Sequence, residues 1–230
     1  MREGTVSLTV RGEELLLHPQ RAALWPRRKT VIVADSHFGK SSFFGRHGIA
    51  VPAGSDDGDR DRLTRLVKES SAERLIILGD FLHAPIAADS REARDLDAWA
   101  QALAPVHILV IAGNHDRGAY RHFSPSIAWC ESEWREPPFR FVHEASGLKT
   151  DDQIFTLSGH VHPVMRLRAM RKESLRVPVF WQRKAGLILP SFGAFTGGYA
   201  VSPTAGERLF AVGPTAVTLM RGIRAPRGKT

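Results

Sequence analysis

Short apolar runs rich in β-branched residues recur along the chain, and each breaks off at a polar cluster. Val31–Ala34, Leu75–Leu78 and His107–Ala112 are the most apolar of them. Their length and flanking turn residues predict buried strands. Between them the period changes. Arg60–Glu69 places Leu63, Leu66 and Val67 on one helical face, and Glu92–Leu103 does the same with Leu96, Trp99, Ala100 and Leu103. Strand, helix, strand, helix, strand predicts parallel strands joined by crossover helices. The second half is different. Phe139–Val142, Ile154–Leu157, Leu175–Phe180, Leu187–Leu189, Leu209–Val212 and Ala216–Met220 read as short strands with few helical stretches between them. A βαβ half followed by a β-rich half predicts an α/β domain of two facing sheets with helices outside. No repeat or linker divides it, so residues 1–220 are expected to form one domain. Residues 221–230, with Arg221, Arg224, Arg227 and Lys229, are expected to be a flexible basic tail.

Composition narrows the function classes. The 230 residues carry a formal charge of +8, a balance that suits polyanions such as nucleic acid and acidic membrane surfaces, with a basic solvated surface as the other reading. No run is long and apolar enough to span a bilayer. The N-terminus does not read as a signal peptide. The single cysteine, Cys130, fits a cytoplasmic setting and is expected to be an ordinary thiol, not a nucleophile. Trp25, Trp99, Trp129, Trp134 and Trp181 are expected in the core, with base stacking as the alternative if they are exposed. His18, His47, His107 and His122 lie outside every motif and are read as surface or core residues.

The polar clusters at the ends of the runs carry the chemistry. In order they are Asp35-Ser36-His37, Gly79-Asp80, Gly113-Asn114-His115-Asp116, His143 and Gly159-His160-Val161-His162. Imidazoles, carboxylates and one amide form a mixed nitrogen and oxygen donor set that suits manganese, iron or zinc. In Asp-x-His and His-x-His, alternate residues of an extended chain end project to one side, so both can reach one site. Any one pair is weak, but five clusters in this order are hard to obtain by chance.

This order resembles the calcineurin-like metallophosphoesterases. The resemblance implies a four-layer αββα sandwich of two mixed sheets flanked by helices, with two divalent metal ions, manganese first, at one edge. It implies Asp35, His37, Asp80 and His162 around one ion and Asp80, Asn114, His143 and His160 around the other, so that Asp80 bridges. It further implies a hydroxide held between the ions as nucleophile, His115 as general acid, and Asp116 orienting His115. Lys40, Arg46, His83 and Arg117 lie next to these clusters and are candidates for gripping substrate phosphate. A closer resemblance rests on Asp-Ser-His-Phe-Gly-Lys at 35–40, Gly-Asp-Phe-Leu-His at 79–83, Gly-Asn-His-Asp-Arg at 113–117, Gly-His-Val-His-Pro at 159–163 and the glycine-rich string Leu189–Gly198. These strings are similar to the ligase-associated DNA damage response endonucleases (PdeM). That implies a DNA substrate and a functional association with a DNA ligase, a helicase and a nuclease. A small-molecule phosphodiesterase or nucleotide-sugar pyrophosphatase is the alternative, and a silent scaffold is a third reading that the complete donor set disfavours.

Overall fold

A computed structural model of the chain describes residues 3–46, 48, 55–117, 124–146, 153–168, 174–194 and 196–221. His47, His122 and the expected tail beyond Arg221 lie outside the described residues.

The first sheet contains β1 (Val6–Val10), β2 (Glu13–His18), β3 (Ala22–Trp25), β4 (Thr30–Val33), β5 (Arg74–Leu78), β6 (His107–Ile111) and β7 (Ile127–Cys130), side by side in that order. The strands from β1 to β4 form an antiparallel meander, while β4 to β7 run parallel. The α-helices among the described residues are α1 (Lys40–Arg46), α2 (Ser55–Glu69) and α3 (Arg91–Ala102). Ser90 caps α3, its side chain accepting from the Ala93 amide at 3.1 Å.

Alternation explains the layers. Val31, Val33, Leu75, Ile77, Ile108 and Val110 pack with Leu63 and Leu66 of α2 and with Leu96 and Ala100 of α3. Ile32, Ile76, Leu78 and Ile111 face the other way, into the core between the sheets. Strands covered on both faces read as continuous apolar runs, which is why these three stood out in the sequence.

The second sheet contains β8 (Glu133–Glu136), β9 (Phe139–Val142), β10 (Phe155–Ser158), β11 (Pro163–Arg168), β12 (Ser174–Arg183), β13 (Gly186–Ile188), β14 (Tyr199–Ala200), β15 (Arg208–Val212) and β16 (Val217–Met220). Its order is β14-β11-β12-β13-β10-β9-β8, with β15 and β16 continuing from β12. Phe139, Phe141, Phe155, Phe180 and Phe210 fill the inter-sheet core against Trp25. The outer face holds a smaller cluster of Met165, Val179, Val201, Leu209 and Ala211. Both sheets are mixed, and they face each other across one core with helices outside the first, the sandwich of two mixed sheets that the sequence led us to expect.

Two further expectations meet the structure here. Trp25 is fully buried, and Trp99, Trp129 and Trp181 pack partly buried against the clusters, but Trp134 is 44% exposed. Cys130 is a free thiol whose Sγ contacts the Glu133 carbonyl. Among the described residues no helix is long and apolar enough to cross a membrane.

Candidate metal centre

Each polar cluster immediately follows the carboxyl end of a strand. Asp35 and His37 follow β4, Asp80 follows β5, Asn114 and His115 follow β6, His143 follows β9, and His160 and His162 follow β10. Parallel strands bring their carboxyl ends to one sheet edge. Here β4, β5 and β6 deliver one set, and the parallel pair β9 and β10 delivers the other. Backbone bonds stitch the loops together. Asp35 N donates to Gly79 O at 3.1 Å, His37 N to Asp80 O at 2.9 Å, and Gly159 N to His143 O at 3.0 Å.

The backbone is strained at this edge. Asp35, His37, Asp80, His160 and His162 all adopt positive φ, between 44° and 69°. For non-glycine residues this costs free energy and clusters at functional sites. At Gly79, with φ 77°, a Cβ would overlap the His143 ring, and at Gly113 it would overlap Asp80. Glycine is required at both points for the ligand-type side chains to approach.

The ligand candidates form two donor groups, and His37, His83 and His115 make a third set beside them. Asp35, His37, Asp80 and His162 present one ligand atom each within 4.8 Å of one another, and so do Asp80, His143 and His160. Asp80 belongs to both: its Oδ2 lies 3.9 Å from His37 Nε2 and its Oδ1 lies 3.5 Å from His143 Nε2. Asn114 Nδ2 lies 3.4 Å from His160 Nδ1, beside the second group. All seven ligand candidates thus come together.

The donor set fits divalent cations. Both ring nitrogens of His37 and Nε2 of His162 are buried without a hydrogen-bond partner. Burial, reinforced by His162, His115 and Lys40, pushes His37 down to about 2, so its imidazole is neutral and its lone pair available. His143 Nε2 and His160 Nδ1 face each other at 3.1 Å, an arrangement that one shared cation satisfies for both lone pairs. Asp35 is fully buried, and that burial raises its pKa despite the neighbouring His162. A cation reverses the balance and holds it ionised. Supporting bonds aim the rings. His143 Nδ1 contacts Leu78 O at 3.1 Å, and His162 Nδ1 contacts Gly197 O at 3.2 Å, leaving Nε2 of each directed inward. Burial lowers the pKa of His162, but the Asp35 carboxylate 3.5 Å away, the Gly197 carbonyl and Asp80 together outweigh it and leave it raised.

His115 is exposed beside this centre, with its ring 5.0 Å from that of His37 and its amide donating to Asp80 Oδ1 at 2.9 Å. The expectation for Asp116 requires correction. Its buried carboxylate accepts from the amides of Phe81 (3.1 Å), Leu82 (2.9 Å) and Gly113 (2.9 Å), and not from the His115 ring. Burial raises its pKa against those three bonds. The partner of His115 Nδ1 is the His83 carbonyl at 2.7 Å. Asp116 therefore ties the loop after β6 to the segment that carries His83, and acts on His115 only through backbone.

The substrate candidates divide. The His83 ring stacks 5.5 Å from His115 and packs against Phe43 and Phe44 of α1. Burial, then Lys40 and His115, lowers His83 to about 4. Lys40 is close enough for its charge to depress both His37 and His83. Arg117 is exposed on the other flank, where it lowers Glu144 after Ser146 and the histidines. The Arg46 side chain lies outside the described residues.

Sequence reasoning missed the support behind the centre. Ser191 Oγ donates to Asp35 O at 2.9 Å, Phe192 N to Ala34 O at 2.7 Å and Gly193 N to Asp35 O at 3.2 Å. From behind, Arg62 Nη2 donates to Phe192 O at 2.5 Å and its guanidinium lies 3.7 Å from the Phe192 ring centroid. Arg21 Nη1 donates to Ser191 O and Gly193 O, and Asp59 accepts from Ala194 N at 2.9 Å. This clamp gives the Leu189–Gly198 string a role: it carries contacts to both Asp35 and His162. Glu144 was missed as well; its Oε1 lies 3.9 Å from His160 Nε2. Nothing in local sequence marks these residues, because their partners lie far along the chain.

Residues 28–203 match the calcineurin-like phosphoesterase family. The chain belongs to that family. The phosphoesterase is also similar to a solved structure, the nuclease MPE of Pseudomonas putida, at 34% identity over 94% of this chain and 100% of that one, with a TM-score of 0.79. AQ665 of Aquifex aeolicus, described as a protein of unknown function, is 17% identical over 58% of this chain and 78% of its own, and its TM-score of 0.38 is too low to bear on the fold. No curated protein matches the phosphoesterase. Its family, its fold and its donor groups make it a metal-dependent enzyme.

Proposed function

We propose that this phosphoesterase is a DNA nuclease: it hydrolyses phosphodiester bonds in single-stranded or broken DNA during repair. The observation that carries this reading is its 34% identity, over 94% of the chain, to a protein described as a nuclease. The closer resemblance to ligase-associated endonucleases adds functional association with a DNA ligase, a helicase and a nuclease, and a cytoplasmic setting. Asp35, His37, Asp80 and His162 hold one divalent ion, and Asp80, Asn114, His143 and His160 hold the second. Manganese is the proposed metal, and the mixed nitrogen and oxygen donors support it, with iron and zinc as alternatives.

When bound, a divalent pair supplies a water that deprotonates near neutral pH and neutralises charge on the phosphoryl oxygens. The chain contributes the rest. The His83 carbonyl accepts the Nδ1 proton of His115, which leaves Nε2 to carry the proton that the departing alkoxide needs. Asp116 and Gly113 hold that loop in register. Lys40 and Arg117 flank the centre with positive charge and can draw the phosphate in. No covalent enzyme intermediate is required.

The test is a substrate panel with manganese: single-stranded and duplex DNA, RNA, cyclic nucleotides and chromogenic diesters. The reading requires that DNA be cleaved efficiently. Turnover of a nucleotide or small diester with no cleavage of DNA assigns the protein to the small-molecule phosphodiesterases instead.

A further inference from the structure

Four residues after His162 begins a segment of unusual charge. Residues 166–176 hold five basic side chains (Arg166, Arg168, Arg171, Lys172 and Arg176) and one acid, Glu173. Half of the net charge of +8 is therefore concentrated in these eleven positions.

The ends of this segment are the antiparallel pair β11 and β12, and the register sets Arg166 directly opposite Arg176. Like charges at facing positions destabilise a sheet. Among the described residues neither guanidinium has a carboxylate partner; Arg176 Nη1 reaches only the Gly198 carbonyl, at 3.5 Å. Both residues are exposed. A facing pair of like charges with no carboxylate partner among the described residues is suited to an anionic ligand.

Alternation fixes which side the pair occupies. Along β12, Val177 and Val179 belong to the outer cluster while Phe180 enters the inter-sheet core. Arg176 and Pro178 share the face of Phe180. The inner face thus changes from buried Phe180 through half-buried Pro178 to exposed Arg176 as β12 runs out past the core. Val164, which pairs with Pro178 on this face, packs against Gly198, since a Cβ on that glycine would overlap it. The neighbouring Gly197 carbonyl is the one that orients His162. The arginine pair is therefore anchored to the same short stretch that supports the metal centre.

We infer that Arg166 and Arg176 form a phosphate-binding track that holds the backbone of a nucleic-acid strand on one side of the cleaved bond. This rests on the nuclease reading above and adds where the strand runs. Two guanidiniums opposed across a strand pair contact successive phosphates without reading bases. The β11–β12 pair then supplies a salt-dependent contact outside the centre.

The experiment is fluorescence anisotropy with a labelled single-stranded oligonucleotide, with salt varied from about 50 to about 200 mM. Wild type is compared with the double variant Arg166→Ala/Arg176→Ala and with Arg166→Lys/Arg176→Lys, and metal content and Tm are followed as controls. Two lost phosphate contacts should lower the salt slope by about 1.4 and weaken low-salt binding by roughly tenfold. The lysine variant should keep most of the slope. The fall in kcat/KM of the alanine variant on DNA should exceed its fall on a chromogenic diester. If the double variant does not fold, either single alanine substitution should give about half the slope change. Wild-type binding and slope in a folded alanine variant would overturn the track alone. Absence of DNA binding by wild type at low salt overturns the nuclease reading, and the track with it.

Discussion

The Nδ1 atom of His115 lies 2.7 Å from the carbonyl oxygen of His83, and this one bond fixes the tautomer of the residue best placed to deliver a proton. With Nδ1–H committed to a carbonyl, Nε2 is the atom free to face a leaving group. His115→Ala should keep both metals and lose about 10²–10⁴ in kcat on substrates with poor leaving groups. Nitrophenolate departs without a proton, so the loss on nitrophenyl diesters should be much smaller. Equal losses on both substrate types, measured with metal content held at wild-type level, would show that His115 is not the acid.

Asp80 faces both donor groups with one carboxylate. Asp80→Ala should therefore weaken both metal sites together and abolish turnover. Metal analysis after dialysis should find fewer than two ions per chain. A variant that retained two ions and a normal rate would rule out the bridge.

The clamp behind Asp35 should matter without touching substrate. Arg62 meets Phe192 through both its carbonyl and its ring, while Asp59 holds Arg62 at 2.8 Å and the Ala194 amide at 2.9 Å. Arg62→Ala should loosen the segment that bonds to the Asp35 and Ala34 backbone. The expected result is weaker manganese binding at the Asp35–His162 site, by roughly 10–100-fold. Calorimetric titration with manganese tests this: the second site should be less affected, and uniform weakening of both would assign Arg62 to general stability.

Glu136 joins the two sheets. From β8 it accepts from Arg74 of β5 at 2.7 Å and from Arg28 at 2.6 Å. Burial raises its pKa, but the two guanidiniums outweigh this and leave it lowered. A lowered folded-state pKa stabilises above the unfolded-state value, and that stability is lost as pH falls through the folded-state value. Glu136→Gln should cost about 1–3 kcal/mol at neutral pH. Its Tm difference from wild type should shrink as pH drops below the ordinary carboxylate range. A difference that is constant with pH would mean that packing, not charge, is responsible.

The elements of this protein whose signal is local are legible from residue order alone. β4, β5 and β6 are buried on both faces, so each is an unbroken apolar run, and β9 lies at Phe139–Val142 as its pattern indicates. The ligand candidates were legible because each directly follows such a run, and strand ends are where a parallel sheet gathers its polar groups. The N-terminal meander was not legible to the same degree. β1 to β3 are short, only partly alternating, and defined by the partners they pair with.

The folded chain sets the relationships between distant residues. Asp35 accepts from the His160 amide 125 positions away, and Arg21 reaches Ser191 170 positions away. It also decided that Asp116, next to His115 in sequence, turns its carboxylate away into the core. Three buried amides outcompete one exposed ring for a buried carboxylate, since amides removed from water are costly to leave unbonded. Residue type and spacing select which groups can do the chemistry. Which of them meet depends on burial and on backbone groups supplied by strands far apart in the chain.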